Sequence, residues 1–190
     1  GAGRPRRRLL RGRGRIRRRR GIGTMVSLAR LLRHLLTPDW RVRQCFPARV
    51  LQAVEASIAA SETRHAGEIR FAVEAGLTFP ALLRGQTARQ RAVEMFSQLR
   101  VWDTEHNSGV LVYVQLVDRK VEILADLGIS ARVPQAEWED ICRRLEQSYR
   151  KGEFENGSVA AIGEITEHLV RHFPSREANP NELPNRPVVL

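Results

Sequence analysis

The chain has 190 residues, 42% hydrophobic and 28% charged, the composition of an ordinary globular domain that folds without disulfides or structural metals. Its net charge of +11 suggests nucleic acid until it is located: residues 1–24, GAGRPRRRLLRGRGRIRRRRGIGT, hold eleven arginines and no acid, leaving 21 of the 32 basic residues to face 21 acidic ones. The remainder is neutral, and its two cysteines, Cys45 and Cys142, are too distant for a zinc motif or a disulfide framework and read as buried free thiols.

The arginine leader has two readings. As a native arm it would neutralise phosphates and bind nucleic acid in a salt-sensitive, sequence-independent way. As GC-rich sequence translated upstream of a start at Met25 it would have no role; the use of only two lysines, Lys120 and Lys151, suits that origin. In both, the segment has too little apolar surface to fold. The next stretch, Met25 to Leu36, is interrupted by Arg30, Arg33 and His34. It is too short to span a membrane and reads as an amphipathic surface helix, so a cytoplasmic protein is expected.

Pro38 stops that helix and Pro47 opens another, with Val50, Leu51, Val54 and Ile58 at helical spacing. GEIRFAVE alternates as a strand with Ile69, Phe71 and Val73 on the core face and Arg70, Ala72 and Glu74 on a more open one. A loop, GLTFPALLRGQ, leads to a helix over Thr87–Arg100. After the polar stretch WDTEHNS, Gly109 opens VLVYVQLV, whose unbroken apolar run marks a central strand covered on both faces. Asp118-Arg119 turns the chain into KVEILAD, which completes a β-hairpin. Two helices follow, one opened by Pro134 and capped by Gly152, the other SVAAIGEITEHLVRHF. From Pro174 onward prolines and asparagines are too frequent for regular structure. The division is therefore leader (1–24), amphipathic helix and linker (25–46), folded domain (47–173) and flexible tail (174–190). Two strands joined by a helical crossover pair in parallel, so the fold class is α/β: a small mixed sheet, a parallel pair plus an antiparallel hairpin strand, sandwiched by helices.

Standard catalytic signatures fail: there is no GxSxG elbow and no P-loop. Cys142 sits mid-helix on an apolar face. His168 and His172 are spaced as half a metal site, but no partner completes it. The cluster Asp103, Glu105, His106 and Asn107 is different. It places hard oxygen donors on neighbouring loop positions, with Ser108 and Gly109 permitting a sharp turn, the donor type that divalent cations prefer. The crossover is expected to bring Glu74 near it.

Four blocks carry a resemblance: GEIRFAVE, ARQRAVEMFSQLRVWDTEHNSGVLVYV, DRKVEILADLGI and KGEFENGSVAAIGEITEHL. Together, over about Pro47 to Phe173, they resemble the TPM domain family, with NSGVL and DRKVEI the most specific parts. The resemblance implies a mixed α/β domain and metal binding, chiefly calcium. It also implies an acid phosphatase activity, as in thylakoid members. Bacterial relatives are often membrane-anchored or secreted; this chain is similar to a soluble subgroup. The family's acidic loop falls on Glu105, His106, Asn107 and Ser108, with Asp103 before it; here His106 and Ser108 replace carboxylates. The family's DR turn falls on Asp118-Arg119, and its later glycine on Gly128 with Asp126 nearby.

The leading expectation is thus a divalent cation, Ca²⁺ before Mg²⁺ or Mn²⁺, held by Asp103, Glu105 and Asn107, with any activity a metal-assisted phosphatase without an assigned nucleophile. Arg119, Asp118, Asp126 and His106 are expected as phosphate contacts or outer-sphere groups. The alternatives are a non-enzymatic interaction module docking on a protein partner near a membrane, and nucleic-acid binding through residues 1–24.

Overall fold

The computed structural model describes residues 27–37, 40–175 and 181–190; the arginine leader and Met25 lie outside them. The elements run α1 (Leu28–Leu35), α2 (Trp40–Cys45), α3 (Ala48–Glu62), β1 (Glu68–Glu74), α4 (Phe79–Leu83), α5 (Ala88–Gln98), β2 (Gly109–Gln115), β3 (Lys120–Ala125), α6 (Leu127–Ser130), α7 (Gln135–Arg150), α8 (Phe154–His172) and β4 (Val188–Val189). The sheet order is β3-β2-β1-β4. As the strand patterning predicts, β1 and β2 pair in parallel and β2 and β3 pair antiparallel.

Local chemistry accounts for several boundaries. Thr87 and Gln90 form a reciprocal capping box at the start of α5. Pro47 and Pro134 precede α3 and α7, and Gly152, at φ 82°, ends α7 in a conformation that favours glycine. One face of the sheet presents Ile69, Phe71, Val73, Val110, Val112 and Val114 to α3, α7 and α8. The other places Ala72, Leu111 and Tyr113 against α5 and Leu183 of the C-terminal segment.

Four expectations are corrected. The second face of β1 is not open: Arg70 and Glu74 are buried, and Glu74 is compensated by a two-pronged bond from Arg91 and by the Tyr113 hydroxyl, which donates to it. The tail is not structureless: Val188 and Val189 add in parallel to the outer edge of β1, where only two ladder positions are needed and the prolines lie before them. The linker after Pro38 contains α2, anchored by buried Val42 and Phe46, and the loop after β1 contains α4. Finally, Glu74 is not near the Asp103 loop. Parallel pairing aligns Glu68 with Gly109 and Glu74 with Gln115, so a loop that precedes β2 lies at the opposite end of β1 from Glu74.

Candidate functional site

The residues singled out in the sequence fall at two ends of the sheet. Asp103, Glu105, His106, Asn107 and Asp126 gather at the start of β2, whereas Asp118 and Arg119 occupy the turn after its end. The two groups are separated by the length of a seven-residue strand, about 20 Å.

At the first end the loop is pressed onto the sheet. A Cβ at Gly109 would lie 1.9 Å from the Val101 carbonyl oxygen, so only glycine allows this approach. Thr104 Oγ1 accepts the Ser108 N–H (2.9 Å), Ser108 Oγ donates to Ala66 O (2.9 Å), and Asn107 takes a left-handed φ of 49°. The Gly128 N–H then donates to Asn107 O at 3.1 Å. A Cβ at Gly128 would sit 2.6 Å from the His106 carbonyl oxygen and 2.8 Å from that of Asn107, so α6 packs directly under the loop's main-chain oxygens.

Asp126 belongs to the same corner. Its N–H donates to Gly109 O (2.9 Å) and its Oδ1 accepts the Leu127 N–H (2.7 Å), capping α6. The side chain is buried, 7% exposed, yet Oδ2 has no hydrogen-bond partner among the described residues. That is costly for a carboxylate unless something else satisfies it. The other acids are less committed to the corner. Asp103 is exposed and ion-paired with Arg100 (2.8 Å), and the Glu105 and His106 side chains point to solvent. The Glu105 N–H donates to the carboxylate of Glu182 (3.1 and 3.3 Å), which brings the C-terminal segment to this end. Among the described residues no group of three or more His, Cys, Asp or Glu side chains is arranged to hold a metal ion. A cation here would depend on main-chain and amide oxygens and on water.

The sequence reading missed the buried charge beside this corner. Glu62 accepts the Ile69 N–H (3.1 Å) and Glu68 accepts the Leu183 N–H (3.2 Å). Burial, opposed by the Ile69 N–H and reinforced by Glu68, pushes the Glu62 carboxyl up to about 8. The signal was present: Glu62 continues the stripe Val50, Val54, Ile58 at four-residue spacing, a carboxylate on an apolar face.

At the second end, Asp118 anchors α1. Arg30 reaches it with Nε (3.1 Å) and Nη2 (2.7 Å) and also donates to Gln86 O (2.9 Å). The Leu77 N–H donates to His34 Nδ1 (2.9 Å), so the ring proton is on Nε2, which donates to Asp118 Oδ1 (3.0 Å). Burial raises the Asp118 carboxyl, but the Arg30 and His34 hydrogen bonds outweigh it and hold it below the usual carboxylate range. Asp118 is therefore a docking residue.

Neither cysteine is a ready nucleophile: burial raises Cys45, opposed by Arg41, and pushes Cys142 up to about 12. His168 pairs with Glu137 (3.2 Å) and packs on Trp138, contacts that join α8 to α7.

The TPM domain profile matches residues 43–168, two thirds of the chain. The chain belongs to the TPM domain family. The TPM domain is similar in structure to the BA42 protein of the psychrophilic bacterium Bizionia argentinensis, at 26% identity and a TM-score of 0.66, covering 75% of this chain and 94% of that one. It shares its fold with the N-terminal domain of a P. gingivalis protein at 14% identity and a TM-score of 0.56, covering 74% and 95% of the two chains. No curated protein matches it significantly. Among the described residues no helix of the TPM domain is long and apolar enough to cross a membrane.

Proposed function

We propose that this TPM domain binds a hard divalent cation, Ca²⁺ or else Mg²⁺ or Mn²⁺, at the corner between residues 103–108 and α6. The observation that carries the reading is the buried, unpartnered Oδ2 of Asp126, the N-cap of α6, whose Gly128 packs against the main-chain oxygens of His106 and Asn107. Asp126 would anchor the ion, Asn107 and the loop carbonyls would supply neutral oxygens, Glu105 would reach it from the rim, and waters would fill the remaining positions. Asp103, held by Arg100, is a peripheral member.

The reading extends to metal-assisted hydrolysis of a phosphomonoester. A cation in this corner would neutralise phosphate oxygens and acidify a bound water. The chain's own part is to hold the ion on a rigid strand end while the exposed face of the loop admits a substrate. Arg119 contributes nothing there, because it sits at the far end of β2.

Thermal unfolding with and without millimolar Ca²⁺, Mg²⁺ or Mn²⁺ tests the reading. A ligand at about a hundred times its Kd stabilises the native state by about 2.7 kcal/mol, a clear rise in Tm. The rise should vanish in Asp126→Asn and survive in Asp103→Ala. A rise that persists in Asp126→Asn, or none in the wild type, would remove the site.

A second reading, a protein-interaction module without catalysis, is favoured by the outer face of α1 and α2, where Leu28, Leu32, Leu35, Leu36 and Trp40 are all exposed. If these leucines serve a partner, Leu32→Ser with Leu36→Ser should cost under ~0.5 kcal/mol in the isolated protein. A large loss on thermal unfolding would mean that they pack within the fold and would end this reading.

A further inference from the structure

The second end of the sheet holds a cleft that the cation reading leaves unused. It has a volume of ≈ 500 Å³ and lies between α1–α2, the turn Leu116–Lys120 and the end of α7. It therefore sits at the carboxyl ends of the parallel strands β1 and β2, the position where open α/β sheets most often hold ligands. Its size suits a small molecule.

The charge of its lining is one-sided. Arg33 from α1, Arg41 from α2, Arg119 and Lys120 from the turn and Arg150 from α7 border it, against two acids, Asp118 and Glu146. Both acids are already engaged. Asp118 is saturated by Arg30 and His34. Glu146 accepts the Val121 N–H (3.2 Å) and pairs with Lys120 (3.4 Å) and Arg150 (3.5 Å). Arg33, Arg41 and Arg119 are left without an ion pair to any described residue, although they come from three separate segments of chain. Arg119 is held on the cleft's edge by a left-handed turn at φ 53°. A side wall is apolar: the rings of Tyr149 and Phe154 stack with centroids 5.0 Å apart.

The fold spends effort to keep this arrangement. The Arg30–Asp118 and His34–Asp118 bonds, joined by those from Arg30 to Gln86 O and from the Leu77 N–H to His34, hold α1, and with it Arg33, over the sheet end. Three guanidinium forks facing one concavity match an anion with several acceptor oxygens, which is the geometry of phosphate more than that of a halide. We infer that this cleft binds the phosphate group of a small phosphorylated molecule or of a phospholipid head, through Arg33, Arg41 and Arg119. The site is independent of the cation corner, about 20 Å away.

The test follows backbone amide shifts of the full chain during titration with phenyl phosphate, together with cosedimentation with phosphatidylglycerol vesicles. Wild type is compared with Arg41→Glu/Arg119→Asn, in which asparagine keeps the left-handed turn. Arg49→Glu/Arg43→Gln, at two exposed arginines outside the cleft, removes the same amount of positive charge and controls for net charge. Saturable shifts confined to residues 116–120 and their neighbours, weakened about tenfold or more in the double variant and unchanged in the control, would support a soluble phosphate ligand. Vesicle binding that the double variant reduces and the control retains, with no phenyl phosphate response, would support a lipid head group in the same cleft. Absence of binding in both arms, or binding that the double variant leaves intact, would overturn the inference. An unchanged amide spectrum away from the cleft shows that the double variant is folded.

Discussion

The two ends of the parallel pair solve the problem of polarity in opposite ways. At the amino end of β1 and β2 the acids are drawn inward: Glu62, Glu68 and Asp126 are buried, and the chain covers them with its C-terminal segment and with α6. At the carboxyl end the acids are neutralised by bases: buried Glu74 is paired with Arg91, Glu146 with Lys120 and Arg150, and Asp118 is consumed in docking α1, while Arg33, Arg41 and Arg119 are left around a cleft. On the two proposals made above, one end would hold a cation and the other an anion, on a domain whose body is neutral. The sequence places acids and bases evenly, and the strand direction sorts them.

The comparison can be broken most severely at Gly128. Gly128→Ala places a Cβ against two main-chain oxygens that cannot move independently of β2, and should cost about 3 kcal/mol in chemical denaturation while also erasing any cation-induced rise in Tm. If the variant keeps both its stability and its metal response, the contact between α6 and the loop is not what shapes the corner.

Asp118→Ala attacks the other end. It leaves His34 buried with an unpaired N–H and strips Arg30 of its partner, so a loss of about 2 kcal/mol is expected. Hydrogen exchange should locate the damage in residues 28–35 and leave β2 protected. Uniform deprotection would instead make Asp118 a residue of the global core.

Glu62→Gln sharpens the contrast through pH. The folded carboxyl, at about 8, lies above its unfolded value of 4.5, so the native state binds more protons in that interval. The contribution of Glu62 to stability is therefore fully present below about 4.5 and is lost as pH rises through about 8, by an amount on the order of 1 kcal/mol or more. Denaturation curves at pH 5 and pH 9 should show this fall in the wild type and a flatter profile in Glu62→Gln. The smallest effect belongs to Asp103→Ala, an exposed pair with Arg100, which should change stability by no more than ~0.5 kcal/mol.

Much of the architecture could be read from periodicity. The apolar run after Gly109 becomes the central strand, and the alternation in KVEILAD becomes its hairpin partner, because both patterns follow from which faces are covered. What escaped the reading depends on contacts distant in sequence. Val188 and Val189 look like any two residues in a proline-rich tail until β1 offers an edge, and the Glu182 carboxylate has a role only when folded over Glu105. The candidate corner was half legible. The loop around Asp103 stands out through its density of polar donors, whereas the buried, unpartnered carboxylate is that of Asp126, one acid at the end of a strand. Arg30 and His34 did carry a local signal, two bases at i and i+4 on one side of a leucine-rich helix, but their shared target is 84 residues beyond His34.

The most direct test of this division follows backbone amide shifts during a Ca²⁺ titration of the wild-type chain. The account predicts shifts clustered in residues 105–109 and 126–130, abolished in Asp126→Asn, with residues 116–120 silent. Shifts centred on residues 116–120, or none in the Asp126 corner at millimolar Ca²⁺, would contradict it.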